Sequence, residues 1–154
     1  MSLIETLKSD FKVAMKSGDA FKLGVLRMVV AALQNRAIEK RGAGGGDAPL
    51  TDDEVRAVLT KETKRRKDAV LVYREGNRID LAEQEEREAA FIERYLPAQM
   101  SEEEVTAQVQ KIIEELRSTQ HDLSFGAIMK EAMKGLQGKA DGKLVGEIIR
   151  RLTA

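Results

Sequence analysis

The sequence predicts an all-α protein, and three observations carry that prediction. Apolar residues recur three and four positions apart in one segment after another, the period of a helix face. Three capping boxes, Ser2-x-x-Glu5, Thr51-x-x-Glu54 and Ser101-x-x-Glu104, each supply a hydroxyl to accept a free backbone N–H and a glutamate that reaches back. No segment alternates apolar and polar residues as a half-buried strand does. Composition agrees. The chain is 42% hydrophobic but only 4% aromatic, with no Trp, so its core must be Leu, Ile, Val, Ala and Met packed helix on helix.

The elements follow from their start and stop signals. Ser2 opens a first helix with Leu3, Leu7, Phe11 and Ala14 on one stripe; Gly18 can stop it and Asp19 can cap the next. The second helix, about 20–41, has a stripe of Leu23, Leu26, Val30, Leu33 and Ala37, and Val25, Met28, Val29 and Ala32 make much of its other side apolar. That pattern predicts a central, buried helix. RGAGGGDAP, 41–49, reads as a mobile loop, because consecutive glycines are costly to hold in one conformation. Thr51 opens a third helix, about 52–75, with Gly76 as its stop, and Asp80 is the expected cap of a fourth, about 81–95. Pro97 ends that helix by removing an N–H and disfavouring helical geometry at Leu96. Ser101 opens a fifth helix to about 118 and Ser124 a sixth, about 125–134.

These signals place a boundary near 96–101, giving a four-helix N-terminal domain, 1–96, and a three-helix C-terminal domain, 97–154. There is no repeat of solenoid period. The 26 basic and 26 acidic residues cancel, which argues against binding nucleic acid through bulk charge and leaves a local basic face possible. Without Cys there is no disulfide, thiolate metal site or cysteine nucleophile. The N-terminus carries acids, unlike a signal peptide, and no apolar run approaches the roughly 20 residues that span a bilayer. The expectation is a soluble cytoplasmic protein without a membrane partner.

The stretch KGLQGKADGKLVGEIIRR, 134–151, holds four glycines. Gly135 sits where the sixth helix should stop, Gly138 belongs to a turn, and Asp141 is a cap that makes Gly142 the first position of a last helix. Gly146 is internal and admits a close neighbour. A tight helix–turn–helix explains three of the four and leaves Gly146 apart. The start of a helix also attracts anions, and Lys139 and Lys143 flank this one, with Lys134 near and Arg150 and Arg151 farther along. Asp141 opposes that reading with a negative charge at the same spot.

In the third helix Glu62 and Arg66, spaced i,i+4, fall in the middle of an apolar stripe. An ion pair against the core is preferred to catalysis there, because a charge on an apolar stripe normally needs a partner. Arg56, Lys64, Lys67 and Arg74 share the opposite face, either solvated or in phosphate contact. Glu83, Glu86 and Glu93 read as an exposed helix face rather than a metal shell. His121, the only histidine, has no evident nucleophile or base beside it, and Met100, Met129 and Met133 suit the core. No catalytic residue, metal site or cofactor is assigned.

KADGKLVGEIIRRL resembles the terminal signature of the GatB/YqeY family, with Gly142 where proline is common. VLRMVVAALQN, LTDDEVRAVLTKETKRRKDAV and GNRIDLAEQEEREAAFIERYLPAQMSEEEV resemble further segments of that family in the same order. The glycine-rich loop at 42–47 is the one departure. The resemblance is to the stand-alone YqeY-like proteins and to the helical and tail part of GatB, a subunit of the amidotransferase that converts Glu-tRNA(Gln) or Asp-tRNA(Asn). That part contacts tRNA; the kinase-like domain that activates the aminoacyl group has no counterpart here. The resemblance therefore implies a non-catalytic tRNA-binding accessory module, with tRNA and aminoacyl-tRNA-related proteins as partners. Carbon–nitrogen ligase activity with glutamine as amido donor is a family association and not an activity expected of this chain alone. RNA contacts are expected at Lys134, Lys139, Lys143, Arg150, Arg151, Lys64 and Lys67, with Glu62, Arg66, Asp141, Gly142 and Gly146 structural. The alternative is a helical protein-interaction module with no RNA ligand.

Overall fold

The computed structural model describes residues 1–119 and 121–154. The described residues are all-α: α1 (Leu3–Ser17), α2 (Ala20–Lys40), α3 (Asp52–Glu75), α4 (Ile79–Glu93), α5 (Glu102–Ser118), α6 (Phe125–Leu136) and α7 (Gly142–Thr153), with no strand among them. They fall into two compact units, Met1–Leu96 and Pro97–Ala154.

The caps explain where the helices begin. At α1 the Ser2 hydroxyl accepts from the Glu5 N–H at 3.3 Å while the Glu5 carboxylate accepts from the Ser2 N–H at 2.7 Å. Thr51 with Glu54 and Ser101 with Glu104 form the same reciprocal pair. Asp19, Ser124 and Asp141 cap with one side-chain acceptor each. Each such cap stabilises by about 1 kcal/mol, since it satisfies an N–H that the helix itself cannot.

Several boundaries depart from the sequence reading. Asp80 does not cap α4. The cap position is Arg78, and the Asp80 carboxylate is drawn to the Arg78 guanidinium at 3.3 Å instead. Gly76 does stop α3, though with φ −80°; the left-handed residue is Asn77, with φ 56°, and Arg78 N–H closes the turn on Tyr73 C=O at 2.8 Å. The segment after α2 is not loop from its start. The chain continues through one wide turn, Arg41–Gly45, in which Gly44 has φ 89° and a Cβ on Gly45 would stand 2.8 Å from Lys40 C=O. Only glycine fits both places.

In the first unit Leu7 and Ala14 of α1, Val25, Leu26, Val29 and Leu33 of α2, Val55 and Leu59 of α3, and Phe91 and Ile92 of α4 form one core. Lys40 donates to Glu54 at 2.8 Å and to Pro49 C=O at 3.2 Å, joining the end of α2 to the start of α3. That bond first, and the Thr51 N–H second, hold the Glu54 carboxyl below the usual carboxylate range. The α2 helix is not buried all round. Met28 is 52% exposed and Ile38 63%, because the helices of this unit cover only the side of α2 that carries Val25, Leu26, Val29 and Leu33.

Arg66 is 3% exposed and is the charged centre of this unit. Its Nη1 donates to the Glu62 carboxylate at 2.7 Å and to Glu62 C=O at 3.1 Å, and its Nε donates to Glu88 of α4 at 3.1 Å. Its Nη2 lies 3.8 Å from Met28 Sδ on α2. The sequence reading contained Glu62 but not Glu88, which is the residue that ties α3 to α4. A second tie is Tyr95, whose hydroxyl donates to Asp10 of α1 at 2.5 Å. Burial first, and the Asp10 carboxylate second, push the Tyr95 phenol above its ordinary value of 10.0.

In the second unit Val105, Val109 and Ile113 of α5, Ile128, Ala132 and Leu136 of α6, and Val145, Ile148 and Ile149 of α7 form a separate apolar core. Helix α6 runs through Gly135 rather than stopping there, because Leu136 must stay helical to reach that core, where it is fully buried. The left-handed residue is Gly138, with φ 78°.

Two predictions follow from the first unit. Arg66→Ala should destabilise by about 3–5 kcal/mol, because it strands two partly buried carboxylates. Glu62→Ala and Glu88→Ala should each cost about 1–3 kcal/mol and couple to Arg66→Ala in denaturant melts. Purely additive effects would mean that the three side chains do not act together. The second concerns alkaline pH. The Tyr95 phenol holds its proton more tightly folded than unfolded, so this contribution is intact below pH 10 and is lost as pH rises through the folded pKa. Tyr95→Phe should remove that part of the decline in urea midpoint above pH 10, and an unchanged alkaline slope would contradict it.

Candidate nucleic-acid interface

The start of α7 is built by its neighbours in the second unit. Lys139 N–H donates to Leu136 C=O at 2.9 Å, which closes the turn after α6. Lys139 C=O then accepts from Met100 N–H at 2.8 Å, and Gly138 C=O from Gln99 Nε2 at 2.9 Å. The turn is thus held from the side by the segment that leads into α5. Asp141 accepts from the Lys143 N–H at 3.2 Å and completes the cap. Gly142 lies against the Met129 and Met133 methyls, where a Cβ would meet them at 3.8 and 4.0 Å. Gly146 is buried on α7, and a Cβ there would stand 3.5 Å from Cζ of the Phe125 ring, so the close neighbour is a side chain.

The five cations expected at this site divide into two kinds. Lys139 and Lys143 are exposed and form no ion pair among the described residues. Lys134 is bound to Glu131 at 2.8 Å, Arg151 to Glu102 at 3.1 Å, and the Arg150 guanidinium stacks 4.8 Å from the Phe125 ring centroid. The arginines do not converge with the two lysines. They lie seven or eight residues along α7 from Lys143, a rise of about 10–12 Å, and each has its own partner. An anion at the helix start would meet two lysine side chains and backbone N–H groups, opposed by the Asp141 carboxylate.

In the first unit Lys64 is exposed and without an ion-pair partner among the described residues, whereas Lys67 pairs with Glu93 of α4. On the same helix Arg56 pairs with Asp53 at 2.8 Å and Arg74 with Glu86 at 2.6 Å. Of the four residues expected on that face of α3, Lys64 alone is unpaired among the described residues. Glu62, Arg66 and Glu88 bring a guanidinium between two carboxylates, and no hydroxyl or imidazole among the described residues is hydrogen-bonded to them. Among the described residues no group of three His, Cys, Asp or Glu side chains is placed to hold a metal ion, and no helix is long and apolar enough to cross a membrane. His121 is exposed, with Nδ1 3.1 Å from Thr119 C=O.

Glu88 and the Asp10–Tyr95 pair escaped the sequence reading. Glu88 is one of several glutamates on α4, and only its fall on the α3 side of that helix singles it out. Asp10 and Tyr95 stand 85 positions apart, beyond any local pattern.

Residues 4–152 match the family model described as Yqey-like protein. Three fungal relatives share the name "Altered inheritance of mitochondria protein 41, mitochondrial". That of Lachancea thermotolerans is 30% identical over 140 residues, covering 89% of this chain and 70% of the relative. That of Clavispora lusitaniae is 29% identical over 133 residues, 84% and 74% of the two chains. That of Kluyveromyces lactis is 30% identical over 149 residues, 94% and 73%. These names overturn the expectation of a cytoplasmic protein, since every one of these relatives is named as mitochondrial. The match of the family model to nearly the whole chain, with relatives similar over both compact units, makes this protein a member of the Yqey-like family.

Proposed function

We propose that this chain is a non-catalytic tRNA-binding accessory module whose RNA contact is the start of α7. The observation that carries the reading is the pair of exposed lysines, Lys139 and Lys143, without ion-pair partners among the described residues, at a turn and helix start fastened by Gln99 and Met100. The resemblance to the GatB tail supplies the ligand class. Carbon–nitrogen ligase activity with glutamine as amido donor stays with the amidotransferase to which the family is related. A surface of two lysines reads phosphate and shape rather than base identity. The mitochondrial names of the relatives make organellar tRNA the first RNA to try.

The test is a titration of the full chain with tRNA across a salt series. Affinity should fall linearly on a log–log plot. Lys139→Ala with Lys143→Ala should leave the melting temperature nearly unchanged, because exposed lysines stabilise little, yet weaken binding and lower the salt slope by about 1–2. Asp141→Ala should cost about 1 kcal/mol of stability and strengthen binding. Wild-type affinity in the double lysine variant would remove this site; no salt-sensitive binding by wild type would remove the RNA reading.

The proposal includes a division into a four-helix and a three-helix domain that fold separately. Limited proteolysis should then cut near 97–101 and within 42–48 while each helical unit survives. A resistant body without cleavage near Pro97 would oppose it.

A further inference from the structure

The first unit leaves a groove of about 680 Å³ open between α2 and α3. The two helices run antiparallel, as the Lys40–Glu54 and Met28–Arg66 contacts show. Ala32 and Asn35 form one wall and Ala57 and Val58 the other. Met28, 52% exposed, lies in line with Asn35 at i−7, and Val72, 65% exposed, continues the α3 wall beyond Lys61. The rim is basic. Lys61, Lys64 and Arg65 line the groove on α3 and have no ion-pair partner among the described residues. Of the acids lining the groove, Glu62 is held by Arg66 and Glu39 by Arg36, and Asp68, unpaired among the described residues, leaves the three cations in excess.

We propose that this groove binds an acidic amphipathic helix of a partner protein. Apolar wall positions at Ala32, Ala57 and Val58 beneath a rim with cations in excess are complementary to a helix with an apolar stripe flanked by carboxylates. Charge argues against a second copy of this chain, because a two-fold contact through this face would bring the same three cations together. The chain's own acidic helices, α4 and α5, have their apolar faces committed to their own cores through Ile92 and through Val105 and Val109. RNA would use the rim but not the apolar wall positions, and no aromatic ring lines the groove to stack a base.

The test uses the full chain and a dye-labelled synthetic 18-residue peptide, about five helical turns, with leucines at helical spacing and glutamates elsewhere. A scrambled peptide of the same composition is the control, and binding is read by fluorescence anisotropy. The amphipathic peptide should bind at least about tenfold tighter than the scramble. Lys61→Gln with Lys64→Gln, and separately Ala57→Gln, should each weaken it about tenfold, with melting temperatures unchanged because all three residues are exposed. Should a glutamine variant unfold, Lys64→Ala and Ala57→Ser give the same comparison. Equal affinity for the two peptides overturns the proposal. So does tRNA binding that the lysine variant weakens and Ala57→Gln leaves alone, which would make the groove an RNA surface. Self-association in sedimentation that Ala57→Gln abolishes would assign it to a second copy. The lysines of α7 are untouched throughout, so this outcome and that of the RNA reading are independent.

Discussion

A guanidinium at 3% exposure must find acceptors, and Arg66 finds them on two helices. Glu62 on its own helix satisfies one arm whatever the rest of the chain does, since i,i+4 geometry is local. The Nε arm is satisfied only when α4 lies along α3 with Glu88 facing inward. Leaving that arm unpaired would cost several kcal/mol. The buried charge therefore selects one register of α4 against α3, the most extensive helix pairing in the molecule. The surface pairs Lys67–Glu93 and Arg74–Glu86 agree with that register but are too exposed to impose it.

The same constraint shapes the open face of the unit. Because α4 packs on the side of α3 that carries Arg66 and Val70, the other side of α3 keeps its lysines in solvent and its groove with α2 uncovered. Engagement of Glu62 by Arg66 also removes a carboxylate that would otherwise neutralise that rim. One interaction thus stabilises the core and decides the charge of the nearby surface.

The second unit is organised differently. Its buried core residues are all aliphatic, and the turn before α7 is held by Gln99 and the Met100 N–H. Lys139 and Lys143 are thereby carried on a backbone that is fastened from the side. Lys134, Arg150 and Arg151 are instead engaged by Glu131, the Phe125 ring and Glu102.

Local chemistry was legible in the sequence because it acts over a turn or less. The capping boxes at Ser2, Thr51 and Ser101, the Asp141 cap and the Glu62–Arg66 pair all involve residues at most four apart, and all form. Where two local rules competed, the pattern alone did not decide: Asp80 could cap α4 or pair with Arg78, and Gly135 could end α6 or continue it. The fold resolved the second case by burying Leu136. The exposure of Met28, the role of Glu88 and the Asp10–Tyr95 bond belong to the tertiary structure. Each depends on which helix faces meet, and residues far apart along the chain carry no spacing that reveals it.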